Sequence, residues 1–475
     1  IGKFGGDTDN WIWPRHTGDF SMFRVYASKD NRPAAYSPQN VPYRPKKHFS
    51  ISTKGVKEGD FTMIYGFPGN TQEYILSDAV AYIAERSDPA KIAVRTGRLD
   101  IITKAQESDP ALRIHYAAKH ASIANAWKKW QGEALGIDRR GTVAAKFDYE
   151  TQFGLWSVGR PEYAGVVMGL RAEYGRIMDA YFAYEITRET LSTLPAAYTP
   201  KERAEECFAR RKPTERALWR QAFREYGRCP KVYRTPSYAE GMARYKSPEA
   251  YADALFEAVW EGSDSVAMQP AVRLREETKR MLDHISWMLG TKSLRNLNSK
   301  ILNELYTTYI KGLREWDRER AFYPDANLTL RVAYGSVAGY EYADGEYHKP
   351  QTTLDGIIAK DNPEIYDYDI PQSLRDLYAS KNYGRWGTVI DGRRTVPVCF
   401  LATNHTTGGN SGSPVLNAGG ELIGINFDRT WRSTMSDIAF DPAICRNIAV
   451  DIRYVLFVVD RVGGAGYLLR EMKLK

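Results

Sequence analysis

The chain has 475 residues, which is long enough for two or three domains with substantial cores. Its 43% hydrophobic and 26% charged residues are typical of a globular protein, and no apolar run approaches the roughly 20 residues of a membrane span. The net charge is +8, but 66 basic residues are mixed with 58 acidic ones, which argues against a nucleic-acid-binding protein. Four scattered cysteines lack metal-site spacing and cannot be paired from sequence, and no cofactor motif is present.

The first stretch of unusual composition is Gly5–Phe20 (GGDTDNWIWPRHTGDF), which leads into a predicted strand. Each special residue has an ordinary explanation, such as an Asx turn for Asp9, a packed anchor for Trp13 or a surface ion pair for Arg15. Together they indicate a rigid polar site with apolar walls. If a serine elsewhere in the chain acts as a nucleophile, it needs a general base and a carboxylate that orients this base. Asp19, at the start of the predicted strand, is the candidate for that carboxylate.

The rest of residues 1–70 predicts loop and strand, with strands within Phe20–Ala27 and at Phe61–Tyr65. From Thr71 the pattern is helical, because apolar residues recur at three- and four-residue spacing in stretches such as Pro161–Leu194. Prolines at positions 110, 195, 213, 230 and 270 predict breaks between helices. One apolar stripe is typical of helix packing rather than of a ligand site: Tyr174, Ile177, Tyr181 and Tyr184.

Near residue 325 the helical pattern ends, and strand and turn signals continue to Phe427. The later stretch Asp451–Val462 is apolar on both faces and predicts a strand or a closing helix. This β–α–β order predicts a β domain interrupted by a helical insertion. The predicted boundaries are 1–70 for the first β part, 71–325 for the insertion, which would cap a cleft, and 326–475 for the second β part.

A glycine-rich loop is predicted at Thr403–Pro414 (TNHTTGGNSGSP). A period-two strand pattern that ends at Phe400 precedes it, and the strand patterns Pro414–Leu416 and Glu421–Phe427 follow it. Ser411 has glycine two positions before it and one position after it, so the backbone must turn sharply there.

Such a turn can point the N–H groups of Gly409 and Ser411 at one spot, where two donors stabilise the oxyanion of an acyl-transfer reaction. An α/β-hydrolase elbow also needs glycine two residues after the nucleophile, and Ser413 occupies that position here. The loop instead resembles the nucleophile loop of chymotrypsin-like proteases. The segment alone is also compatible with a glycine-rich β-turn that carries a solvated serine.

Three segments together resemble the bacterial dipeptidyl-peptidase 7/11 family of serine exopeptidases: Gly5–Phe20, Thr406–Pro414 (TTGGNSGSP) and Asn426–Trp431 (NFDRTW). The likeness reaches the helical stretch at Ile123–Trp127 (IANAW). It implies a chymotrypsin-like double β-barrel, with a large all-helical domain inserted between the two catalytic barrels. It also implies a periplasmic or cell-surface enzyme of a Gram-negative bacterium that has a signal peptide and can form a homodimer.

The resemblance assigns Ser411 as the nucleophile, Asp19 as the triad carboxylate, and the Gly409 and Ser411 N–H groups as the oxyanion hole. It assigns four residues to the free amino terminus of a peptide substrate: Asn10, Trp11, Asn125 and Asp428. A buried ammonium needs a carboxylate and carbonyl acceptors. An anchor for this group two residues from the scissile bond restricts the product to a dipeptide.

The catalytic histidine of the family lies in a Thr-Asn-His-His-Cys type motif upstream of Gly5, and this sequence does not contain it. His16 and His405 adjoin the matching motifs, but the family pattern does not use these neighbouring positions as the base. We therefore expect the chain on its own to be inactive.

Arg429 follows the amine-binding aspartate and matches the members of the family that cleave after Asp or Glu. A guanidinium binds a carboxylate side chain bidentately, whereas members with a broad hydrophobic preference carry glycine there. The alternative is a solvated arginine on a strand edge. Arg432 and Ser433 depart from the family pattern, in which glutamate follows the tryptophan, and the added charge either favours acidic substrates or disturbs a supporting salt bridge.

These observations predict a serine-type dipeptidyl peptidase that acts on peptides with a free N-terminus and prefers Asp or Glu as the second residue. One alternative is the sister activity with a hydrophobic second residue. Another is a catalytically silent protein that binds peptide N-termini.

Overall fold

A computed structural model describes residues 4–262, 264–290 and 296–475. The chain divides into two compact units. The β-rich unit contains the segments up to Glu73 and from Asp325 onward, and the helical unit is Tyr74–Pro324. The predicted mixture of strand and helix is therefore confirmed, while the assignment of these segments to catalytic barrels and a cap stays a prediction. Among the helices of the described ranges, none is long and apolar enough to cross a membrane.

The strands of the described residues all lie in the β-rich unit. They are β1 Tyr26–Ala27, β2 Val41–Pro42, β3 Phe61–Gly66, β4 Arg331–Ser336, β5 Tyr340–Ala343, β6 Glu346–His348, β7 Gln351–Thr353, β8 Thr388–Ile390, β9 Arg393–Thr395, β10 Pro397–Ala402, β11 Pro414–Leu416, β12 Leu422–Arg429 and β13 Asn447–Asp451.

The helices of the helical unit are α1 Ser77–Ala81, α2 Asp88–Ser108, α3 Pro110–Arg139, α4 Thr142–Ser157, α5 Val166–Glu189, α6 Pro200–Arg203, α7 Phe208–Tyr226, α8 Pro236–Tyr245, α9 Pro248–Glu261, α10 Ser265–Met288 and α11 Lys300–Trp316. The β-rich unit adds α12 Leu354–Lys360, α13 Gln372–Ser380 and α14 Ile452–Phe457.

The main sheet is antiparallel and has the strand order β4-β3-β11-β12-β13-β10-β7 in the described part of the chain. Strands β10 and β13 are buried at every position, because both faces of the sheet are covered there. A single bridge between Val337 and Ala402 brings the end of β4 close to β10. No closed barrel is found among the described strands, so the double barrel that the resemblance implied is not confirmed.

Strand predictions held where a strand has partners on both sides. The pattern that ended at Phe400 became β10, and the two patterns after the glycine-rich loop became β11 and β12. Within Phe20–Ala27, only Tyr26 and Ala27 form a strand, because the preceding extended residues find no ladder partner in the described ranges. The stretch after β13 is helical, and the Asp451 carboxylate caps α14 by accepting the Arg453 N–H at 2.9 Å.

The helical unit contains a large apolar core and a smaller one formed by α2, α3 and α7. The predicted packing stripe is confirmed, since Tyr174, Ile177 and Tyr181 of α5 are buried in the large core and Tyr184 is half-buried against it. The predicted breaks at Pro213 and Pro270 are wrong, since these prolines lie inside α7 and α10. A proline removes only one helical hydrogen bond, and the burial of the neighbouring apolar side chains offsets that loss. All four cysteines are free.

Candidate active site

The loop between β10 and β11 has a backbone that only glycine tolerates at its critical points. Gly409 and Gly412 adopt φ values of 108° and 84°, in the region that side chains disfavour. A Cβ atom at Gly409 would lie 2.4 Å from the carbonyl oxygen of Phe67. The predicted sharp turn at Ser411 is therefore present, and its shape depends on the glycines around it.

The buried side chain of Asn410 holds this loop in place. Its Oδ1 accepts the Thr407 N–H at 3.1 Å, and its backbone oxygen accepts the Ser413 N–H at 3.0 Å. The Gly412 N–H donates to the carbonyl oxygen of Asn426 on β12 at 2.8 Å. The loop is thus fixed to itself and to the adjacent strand, a rigidity that the sequence pattern did not assign to Asn410.

The N–H groups of Gly409 and Ser411 lie on either side of the Asn410 N–H, which is hydrogen-bonded within the loop. Among the described residues, the Gly409 and Ser411 N–H groups have no hydrogen-bond acceptor, whereas those of Asn410, Gly412 and Ser413 do. Ser411 is exposed, and its hydroxyl donates to the carbonyl oxygen of Phe427 at 3.2 Å. A carbonyl is too weak a base to activate the hydroxyl, so the loop offers an accessible serine and two available donors without a base.

A β-bulge in β12 lies next to this serine. Asn426 pairs with Ala449 and Asp428 with Ile448, so Phe427 is the extra residue on its strand. Bulges re-aim the side chains that follow them. Here the bulge directs the Phe427 carbonyl toward Ser411. Because it adds one residue, it also reverses the inward and outward alternation of side chains, so Asp428 and Arg429 lie on the opposite faces from those that the earlier part of β12 would predict.

The side chain of Asp428 is 8% exposed and accepts several hydrogen bonds. Its Oδ2 accepts the Trp11 N–H at 3.0 Å and Arg15 Nη1 at 3.1 Å, and its Oδ1 accepts the Arg429 N–H at 2.8 Å. Burial raises the pKa of the Asp428 carboxyl, and the charge of Arg15 only partly opposes that shift. The structure thus brings together Trp11 and Asp428, two of the predicted amine-binding residues.

Trp11 holds a strained backbone conformation at this point, with φ of 68°. Its N–H is fixed by Asp428, and its carbonyl oxygen accepts the Trp431 N–H at 2.6 Å. Contacts on both sides of the residue hold it in this conformation, which is the usual condition for such strain to persist.

Arg15 is buried, so its interpretation as a surface ion pair is wrong. Its Nη1 contacts Asp428 and also the carbonyl oxygen of Asp9, while its Nε donates to Thr17 Oγ1 at 2.9 Å. The guanidinium lies 5.3 Å from the centroid of the Phe427 ring. Arg15 therefore connects the opening segment to the bulge in β12, a role that the sequence did not reveal.

Arg429 is also buried, which excludes the solvated strand-edge alternative. Its Nη1 and Nη2 donate to the two carboxylate oxygens of Asp437 at 2.6 and 2.7 Å. Nη1 also contacts Ser436 Oγ at 2.8 Å and the carbonyl oxygen of Thr406 at 3.3 Å. The ring centroid of Trp11 lies 5.5 Å from the guanidinium. Arg429 is thus oriented from several sides.

The other predicted site residues are placed as follows. Asp19 is exposed in the β-rich unit, yet nearby protein excludes enough water to raise the pKa of its carboxyl, an effect that the Arg15 charge opposes. Asn10 is half-buried beside Trp11 in the chain. Asn125 is exposed on α3 of the helical unit, and its part in the site stays a prediction.

Neither neighbouring histidine is suited to serve as the base. The ring nitrogens of His405 lie 3.2 Å from Glu73 Oε1 and 2.9 Å from the Ser436 carbonyl oxygen, and the ring stacks on Phe440. His16 is buried, and burial, together with the charge of Lys360, lowers the pKa of its imidazole to about 4.

One group of possible metal ligands in the helical unit was not foreseen from the sequence. His115, Glu205 and Cys207 each place one ligand atom within 4.8 Å of the others. The Arg211 guanidinium lies 3.0 Å from Glu205 Oε2, and its positive charge opposes a divalent cation. We therefore assign no metal to this group.

Sequence comparison gives a consistent set of relatives. The family model described as peptidase S46 matches residues 1–206 and 200–474. An Asp/Glu-specific dipeptidyl-peptidase of Capnocytophaga gingivalis is 41% identical over 520 residues, which cover 100% of this chain and 72% of that protein. Dipeptidyl-peptidase 7 of Phocaeicola vulgatus is 34% identical over 515 residues, which cover 100% and 71% of the two chains.

Structural comparison leads to the same group of proteins. The crystal structure of Porphyromonas endodontalis DPP11 in complex with the dipeptide Arg-Glu matches with a TM-score of 0.84 and 34% sequence identity. This match covers 100% of the present chain and 73% of that chain. The structure of the same protein in complex with substrate matches with a TM-score of 0.82, 33% identity and the same coverage.

Proposed function

The chain belongs to the peptidase S46 family, as its motifs predicted, and on this premise we propose that it is a serine-type dipeptidyl peptidase. It releases dipeptides from the free N-terminus of peptides and prefers Asp or Glu as the second residue. Relatives named Asp/Glu-specific dipeptidyl-peptidase, which are 37–41% identical over the full length of this chain, support this activity.

The observation that carries the proposal is the pair of available N–H donors, at Gly409 and Ser411, on the loop that exposes the Ser411 hydroxyl. Ser411 Oγ attacks the carbonyl carbon of the second substrate residue, and its proton passes to a histidine base. The two N–H groups stabilise the resulting oxyanion. The histidine then protonates the leaving amine as the peptide C–N bond breaks, which leaves the dipeptide as an ester on Ser411. A water molecule, deprotonated by the same histidine, attacks this ester, so that the dipeptide is released and the serine hydroxyl is restored. Asp19 orients the histidine in both steps.

Asp428 is proposed to bind the substrate ammonium. Each carboxylate oxygen accepts two hydrogen bonds, and Oδ2 already accepts two, from Trp11 and Arg15. Oδ1 accepts the Arg429 N–H and can take one further donor. We call Asp428 and Arg15 the amine pair. Asn10 and Trp11 complete the proposed recognition of the N-terminus within the β-rich unit.

Arg429 is proposed to bind the acidic side chain of the second substrate residue. Its guanidinium is buried and oriented, which suits charge-assisted recognition of a carboxylate. We call Arg429 and Asp437 the acid pair.

The general base is proposed to be a histidine other than His16 and His405. Burial and the charge of Lys360 lower the pKa of the His16 imidazole to about 4, and the His405 ring is held between Glu73 and the Ser436 carbonyl oxygen. The proposed experiments use the full-length protein. We further propose that the main sheet belongs to one barrel of a chymotrypsin-like double barrel, supported by the bridge from Val337 to Ala402. A periplasmic or cell-surface location and a homodimer stay predictions.

Replacement of the nucleophile tests the proposed chemistry. In the full-length protein, Ser411→Ala should lower the release of dipeptides from free-amino peptides by about 10⁴-fold or more, since only the nucleophile is lost. Mass spectrometry of the products measures the reaction, and circular dichroism checks the fold. Ser413→Ala, two residues along the same loop, is the matched control and should retain most activity. Near-normal turnover by Ser411→Ala would refute the serine mechanism, and binding without turnover in the wild type would indicate a silent peptide-binding protein.

A further inference from the structure

The guanidinium that is proposed to recognise acidic substrates already has a carboxylate partner inside the protein. Asp437 contacts Arg429 through two short hydrogen bonds, of 2.6 and 2.7 Å, in an end-on bidentate arrangement. The side chains are 5% and 14% exposed, so water screens the pair only weakly. Asp437 ends the short helical turn Trp431–Asp437 that follows β12, and this turn positions its carboxylate.

This partner changes the charge that a substrate meets. An unpaired buried arginine would present a full positive charge, whereas the acid pair is neutral as a whole. A substrate carboxylate that contacts Arg429 is therefore attracted by its guanidinium and repelled by the Asp437 carboxylate. The difference between these two effects, and not the arginine charge alone, then determines the advantage of an acidic second residue.

Asp437 also orients the Arg429 guanidinium, and an asparagine could take over that role. Nη1 of Arg429 is additionally held by Ser436 Oγ at 2.8 Å and by the Thr406 carbonyl oxygen at 3.3 Å. An asparagine at position 437 would keep the shape of the side chain and one oxygen acceptor. Replacement of Asp437 by asparagine thus removes the negative charge while most of the orientation of Arg429 is retained.

We propose that Asp437 is a specificity-determining residue, whose negative charge lowers the preference for Asp or Glu as the second substrate residue. This inference rests on the proposed function, because it takes Arg429 as the group that meets the acidic side chain. In the acid pair, the charge of Asp437 offsets that of Arg429, so that peptides with a neutral second residue are still cleaved.

The test is a charge series at two positions in the full-length protein. The variants are Asp437→Asn, Arg429→Met and the double variant, which give the pair net charges of +1, −1 and 0. Each is assayed for kcat/KM with two free-amino dipeptidyl substrates that differ only in Glu or Leu as the second residue. Asp391→Asn, which disrupts an exposed pair with Lys349, is the control for loss of one surface charge.

We expect Asp437→Asn to raise the Glu-to-Leu ratio by about tenfold, because repulsion over several ångströms in a weakly screened site is removed. Arg429→Met should reverse the preference, since it leaves Asp437 without its partner, and the double variant should lie between Arg429→Met and the wild type. Asp391→Asn should leave the ratio unchanged.

The series separates failure of this inference from failure of the proposed function. A wild type that shows no preference for Glu contradicts the proposed function. A wild type that prefers Glu, combined with an unchanged or lower ratio in Asp437→Asn, overturns the role of Asp437. If one single variant is unstable, the effect of Asp437 is still measured by the other comparison, either wild type against Asp437→Asn or Arg429→Met against the double variant.

Discussion

The amine pair and the acid pair are both buried, but they are joined differently. Arg15 reaches Asp428 through one nitrogen at 3.1 Å, and this carboxylate also accepts the backbone N–H groups of Trp11 and Arg429. Arg429 and Asp437 share two contacts of 2.6 and 2.7 Å. The amine pair is a loose, single contact, whereas the acid pair is a closed bidentate one.

Because of this difference, we expect the two pairs to contribute differently to substrate recognition. Burial raises the pKa of the Asp428 carboxyl even though Arg15 is adjacent, so the carboxylate is incompletely compensated and gains from an incoming ammonium. The acid pair is compensated before any substrate arrives. We therefore expect recognition of the amine to contribute strongly to catalysis, and recognition of the acidic side chain to act as an adjustable preference.

The largest effect is expected at the amine pair. Asp428→Ala should reduce kcat/KM for free-amino peptides by roughly 2–5 kcal/mol in transition-state binding, a factor of about 30 to 5,000, because the ammonium loses its counter-charge. Steady-state kinetics with a peptide and its N-acetylated form measures the effect. Asp428→Asn, which keeps an acceptor for Trp11 and Arg15, separates charge from packing, and equal cleavage of both forms by the wild type would contradict the role of Asp428.

A smaller effect is expected at the acid pair. Arg429→Gly should lower the Glu-to-Leu ratio of kcat/KM by about 10- to 150-fold, since one charge-assisted contact is lost. It also enlarges the pocket for hydrophobic side chains. Arg429→Lys keeps the charge without the bidentate geometry and should give an intermediate ratio. The same ratio in Arg429→Gly as in the wild type would mean that Arg429 only stabilises the fold.

The smallest expected effect is on the pH dependence of KM and kcat, which we assign to Asp428 and Asp19 respectively. As the pH falls through the raised pKa of Asp428, its carboxylate becomes neutral and the ammonium loses its partner, so KM should rise. A substrate with Leu as the second residue avoids titration of the substrate itself. Because the pKa of Asp19 is also raised, a decrease in kcat is attributed to Asp19 and an increase in KM to Asp428. In Asp428→Asn, KM should be high at every pH, and an unaltered rise would contradict this assignment.

The sequence predicted what local patterns determine. Period-two alternation and glycine spacing gave β10, β11 and the turn at Ser411, because these features depend on neighbouring residues alone. Proline was a poorer guide, since packing overrode the predicted break at Pro213.

The ion pairs could not be predicted in the same way. Arg15 and Asp428 are 413 positions apart in the chain, and the residue types do not say which charges meet. The sequence singled out Arg429 because it follows Asp428. Its contact with Asp437 could not be predicted, because the helical turn after β12 places that carboxylate. The bulge at Phe427 was equally hidden, because it appears only when β12 pairs with β13.

The most direct test of the account is calorimetric binding of three ligands, Arg-Glu, Arg-Leu and N-acetyl-Arg-Glu, to the full-length wild type, Asp428→Asn and Arg429→Gly. We predict that acetylation weakens binding to the wild type and Arg429→Gly but not to Asp428→Asn. Exchange of Glu for Leu should weaken binding to the wild type and Asp428→Asn but not to Arg429→Gly. Two results would contradict the assignment of the amino group to Asp428 and of the acidic side chain to Arg429. One is that acetylation leaves the affinity of the wild type unchanged. The other is that both variants lose the same affinity for all three ligands.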